Sequence, residues 1–109
     1  MGKRKKRKSR SDEEITEVVG VAWYTPEQWD RLREISSDAD NLEDTYEEWK
    51  SSAENALITL SASGAIARKV AVDVEELLRW CNSKNRPVDG AARSEFAWEK
   101  LKEELDKTD

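Results

Sequence analysis

Residues 32–60, LREISSDADNLEDTYEEWKSSAENALITL, carry the strongest pattern in the chain. Leu32, Ile35, Ala39, Leu42, Tyr46, Trp49, Ala53, Ala56 and Leu60 recur at intervals alternating between three and four. That is heptad spacing, which lines apolar groups along one edge of a helix. Trp29 and Leu57 widen the edge, while Asp30, Glu34, Asp38, Asp40, Glu43, Asp44, Glu47, Glu48 and Glu54 occupy the other faces. Ser36, Ser37, Asp38, Asp40 and Asn41 are weak helix formers, costing together roughly 2–3 kcal/mol against alanine, and they could form a hairpin turn. A turn has no reason to keep heptad phase, however, and here the phase runs through. The expectation is one helix from Pro26 to about Ala62, roughly 55 Å long at 1.5 Å per residue. It would overhang a globule of this size, so its seam offers Leu42, Tyr46, Trp49 and Ala53 to a second copy or to another helical protein.

The flanks of this helix read as strands. Glu17-Val18-Val19-Gly20-Val21-Ala22-Trp23-Tyr24 is β-branched and aromatic, and reads as a short strand. Thr25-Pro26-Glu27-Gln28 follows it as a helix start, with Thr25 as N-cap, Pro26 in the first turn and Gln28 completing a capping box. Gly64 suits the residue just past the helix end. A second strand is expected at about Ala67 to Val72, which makes a β-α-β unit. Asp73 then caps a helix carrying Val74, Leu77, Leu78 and Cys81 on one face. Asn82 to Gly90 is a turn, and a last helix runs from about Ala91 to Leu105. The expected fold is therefore α+β and helix-dominated, in the order β-α-β-α-α. Residues 13–109 form its single small domain and residues 1–12 a disordered basic arm.

Charge divides the chain sharply. Lys3, Arg4, Lys5, Lys6, Arg7, Lys8 and Arg10 place seven of the 19 basic residues in the first ten positions. The remainder holds 12 basic and 24 acidic residues, a net charge of −12. Such an arm suits the phosphates of nucleic acid or another polyanion, bound without sequence preference and in competition with salt. The acidic body would repel a duplex, so contact is expected through the arm alone.

Enzymatic chemistry is not expected. The chain has no histidine and one cysteine, which removes the usual general base and any multi-thiolate zinc site. Cys81, on an apolar helix face, reads as a core thiol. Glu13-Glu14-Ile15-Thr16-Glu17 and Glu27-Gln28-Trp29-Asp30 resemble E-E-x-x-E and E-x-x-D, the magnesium-holding motifs of helical nucleoside-triphosphate pyrophosphohydrolases. The first falls between arm and strand rather than on a helix, and the two blocks stand closer together than two facing helices require. Stacked carboxylates at Glu43, Asp44, Glu47 and Glu48 read as a solvated face, and no cofactor or metal is expected. No apolar run approaches the roughly 20 residues that cross a bilayer, and the start lacks the apolar stretch of a signal peptide. These readings converge on a cytoplasmic interaction protein, with a nucleic-acid-associated protein as the alternative.

Overall fold

The computed structural model describes residues 17–107. Its elements are β1 (Val18–Trp23), α1 (Pro26–Ile35), α2 (Tyr46–Ala62), β2 (Ile66–Ala71), α3 (Val74–Ser83) and α4 (Gly90–Lys107), with a 3-10 turn at Ala39–Asn41. The expected class and strand positions hold, but the long helix is two.

Chain closure explains the break. β1 and β2 pair in parallel, with Val18 opposite Ile66 and Trp23 opposite Ala71. The connection must therefore return from the end of β1 to the level of its beginning, about 20 Å for six residues. A straight helix of roughly 55 Å overshoots by more than twice. α2 alone, about 25 Å long, matches the return, and α1 is turned aside.

Local chemistry holds the bend. The Ser36 N–H and hydroxyl both donate to the Leu32 carbonyl and end α1. Ser37 donates from its N–H and its hydroxyl to the Val88 carbonyl. Arg93 of α4 donates to both Asp38 carboxylate oxygens, at 2.9 and 2.8 Å. These ties reach residues some 50 positions away, beyond the range of any periodicity argument.

The caps were partly legible. Asp73 accepts from the Glu75 and Glu76 amides as expected. Gly64, at φ +97, completes a Schellman end to α2, with Gly64 N–H bonding Ser61 and Ala65 N–H bonding Leu60. Thr25, by contrast, makes no side-chain cap bond. Gln28 is drawn away from any capping box, because its amide oxygen accepts the orphan Val74 N–H at the start of α3.

Helices cover the sheet on both faces. Val18 and Ala22 pack with Val70, Ala97 and Leu101, so this side of β1 lies on α4. Gly20 belongs to the same side, and a Cβ there would stand 3.4 Å from the Ala97 carbonyl oxygen. Glycine thus permits α4 to settle close. Trp23, of opposite parity, meets Trp49 of α2. The larger core joins Tyr24, Trp29, Leu32, Leu77, Cys81, Ala92 and Phe96 between α1, α3 and α4.

The radius of gyration is 16.8 Å and the extents are 55 × 29 × 25 Å. A compact domain of about this length has a radius near 13 Å. Elongation, expected of one long helix, is thus present with two. No helix among the described residues is long and apolar enough to cross a membrane.

Candidate functional site

The seam residues turn inward. Trp49 stands at the centre of an aromatic cluster, with ring centroids 5.1 Å from Trp23, 5.3 Å from Tyr24, and 5.4 Å from both Trp29 and Tyr46. The Tyr46 hydroxyl donates to the Tyr24 carbonyl at 3.2 Å. Leu42, Tyr46 and Trp49 are half-buried against the main core, and Ala53 is buried. The first turns of α2 therefore spend their apolar edge on their own body. Burial raises the Tyr24 hydroxyl to about 12, so it stays protonated.

The far end of α2 is different. From Asn55 to Ile66 no residue is charged, in a chain where 39% are. Ala56 is exposed, Leu57 and Leu60 are half-buried, Ile58 is 66% exposed and Ile66 47%. Thr45 starts the helix by accepting the Glu48 amide. The turn at Gly64 then leads the chain into β2 at Ile66. An uncharged apolar end is thus carried between two well-made helix terminations. The signal for Ile58 and Ile66 is present in the sequence as that charge-free run, and neither residue stands at one of the heptad positions.

A second apolar feature lies across the molecule. Trp98 of α4 is 43% exposed, with Lys102 near its ring. It borders a shallow groove of about 540 Å³ whose floor is Glu17 to Gly20 and whose wall includes Ser94. Of the five tryptophans, only Trp29 is fully enclosed. Trp23, Trp49 and Trp80 are half-buried within aromatic contacts.

The basic residues Lys3, Arg4, Lys5, Lys6, Arg7, Lys8 and Arg10 lie outside the described residues, as does most of Glu13–Glu17. Among the described residues no three potential metal ligands gather. Glu27 lies in the first turn of α1, and β1 separates it in the chain from Glu17, so a strand intervenes between the two acidic motifs. Cys81 is fully buried, and burial pushes its thiol above the ordinary value.

The geometry defines a class: a small α+β body whose two-stranded parallel sheet lies between helices, with an uncharged, partly exposed end on α2. The chain matches no protein-family model, no curated protein and no solved structure at a significant level.

Proposed function

We propose that this chain is a small non-catalytic interaction protein that works in the cytoplasm. It docks through helix–helix association, and its basic arm supplies electrostatic attachment. The observation that carries this reading is the charge-free stretch from Asn55 to Ile66, with Ile58 and Ile66 open to solvent. Two large exposed aliphatic groups within one charge-free stretch support a surface that another apolar surface covers. The partner surface is a helix, because the last turns of α2 offer the i, i+3, i+4 ridges into which helices pack. A coiled-coil pairing along Leu42, Tyr46, Trp49 and Ala53 would need α2 to leave the body.

Affinity capture with charge variants tests this. Ile58→Glu and Ile66→Glu change exposed positions, where substitutions typically alter stability by less than about 0.5 kcal/mol. A protein retained by the natural chain should be lost from the double variant and kept by Glu103→Lys. Equal capture by all three would contradict the reading.

The alternative function, a nucleic-acid-associated protein, rests on the seven basic residues among the first ten. Seven phosphate contacts would give log K a slope of about −6 against log salt. Titration against DNA at two salt concentrations, with and without residues 1–11, distinguishes it. Equal binding by both forms would remove the arm from the account.

A further inference from the structure

The heptad phase runs unbroken through a segment that the folded chain bends. Ile35, Ala39, Leu42 and Tyr46 keep the spacing through the ten residues, 36–45, that separate α1 from α2. A straight helix is barred in one molecule because β2 must come back beside β1. The bar is lifted when the two strands belong to different molecules. We propose that two copies of this chain exchange halves. Residues 36–45 straighten, α1 and α2 fuse into one rod, and the α2–β2–α3–α4 part of each copy docks on the β1–α1 part of the other.

Every contact between the halves can be remade across the exchange. The parallel register of β1 with β2 is one, and the seating of α4 on Gly20 is another. Others are the Trp49 ring contacts with Trp23, Tyr24 and Trp29, the Tyr46 hydroxyl on the Tyr24 carbonyl, the ion pair of Arg31 with Glu75 and the bond from Val74 N–H to Gln28. The interface is then the fold's own core rather than a surface patch. The bend is given up, with Ser37 on Val88, Arg93 on Asp38 and Ser36, Arg33 on Asp44, the packing of Leu42 on the core, and the 3-10 turn. Exchange of an identical element is a low-cost route to a dimer when a hinge has a second acceptable conformation. The heptad supplies that conformation, with Ala39 and Leu42 joining the apolar edge. The proposal does not depend on Ile58 or Ile66, so each reading can fail without the other.

The full chain, refolded from urea at low and high concentration and sized by light scattering, tests it. The dimer fraction should rise with protein concentration during refolding. Asp38→Ala removes the tie to Arg93 and favours helix, and it should raise the dimer by about ten-fold. Glu43→Pro follows Leu42, which is already extended at φ −90 and ψ 148, so the bent form accepts it while a straight helix does not. That variant should fold and remain monomeric. Val19 and Ala67 are Cα partners in the register; with both changed to cysteine in a Cys81→Ala background, oxidation should join two chains in the dimer and close within one chain in the monomer. A natural chain that is monomeric at every concentration overturns the proposal. So does a dimer indifferent to Glu43→Pro, or one whose disulfide closes within a single chain.

Discussion

Arg93→Met should cost this fold about 2 kcal/mol, and the reason lies in how Arg93 holds the bend. Its guanidinium makes two parallel hydrogen bonds to Asp38, and a third at 3.3 Å to the Ser36 hydroxyl. The side chains are only 13% and 20% exposed. Fully exposed pairs contribute about 0.2–1 kcal/mol, whereas removing one partner of a buried pair costs about 3–5 kcal/mol. This pair lies between, so we expect about 2 kcal/mol for Arg93→Met and about 1–2 kcal/mol for Asp38→Asn. Their coupling in a double-mutant cycle should be about 1–1.5 kcal/mol. Urea unfolding followed by tryptophan fluorescence would measure all four species, and the melting temperature of Arg93→Met should fall by about 10 °C. Acidity gives a second handle. Hydrogen bonds from Arg93 hold the Asp38 carboxyl below its ordinary value of 3.8. A carboxyl lowered on folding stabilises above its unfolded value, and that stability disappears as pH falls through the folded one. The difference between natural chain and Asp38→Asn should therefore be full at pH 7 and shrink below about pH 4. Coupling under about 0.5 kcal/mol, or a difference unchanged at low pH, would refute the claim that this pair secures the bend.

Three other substitutions probe separate parts of the fold. Trp49→Ala removes the centre of the aromatic cluster and should cost about 2–4 kcal/mol, somewhat less than a fully buried tryptophan, with a loss of near-ultraviolet circular dichroism. Gly64→Ala meets no atom within 4 Å, so its loss of about 1 kcal/mol in urea unfolding should come from the positive φ alone. Asp73→Ala leaves the Glu75 and Glu76 amides without their cap and should lower stability by about 1 kcal/mol, seen as faster amide exchange in the first turn of α3.

Much of this architecture was legible because local chemistry wrote it. The apolar run at Val18–Trp23, the acid at Asp73 and the glycine at Gly64 each act within a few residues of themselves. The bend was not legible, because its causes are distant. Val88 and Arg93 hold Ser37 and Asp38, and the position of β2 decides how far the connection may run. Periodicity records which residues could share an edge, but it is silent on whether that edge is straight. The same limit applies to Trp49: its spacing placed it on the seam, while three of the rings around it, Trp23, Tyr24 and Trp29, come from residues some 20 to 26 positions earlier. For Ile58 and Ile66 the signal was present as an absence of charge rather than as a motif.

On this account the aliphatic end that the described residues leave uncovered, at Ile58 and Ile66, is where this chain meets another. Photo-cross-linking inside the host cell addresses it most directly, with a photoreactive amino acid at position 58 and, for comparison, at exposed Glu103. We expect a discrete adduct with a second polypeptide from position 58 and none from position 103. Equal labelling from both positions, or no adduct from position 58, would contradict the claim.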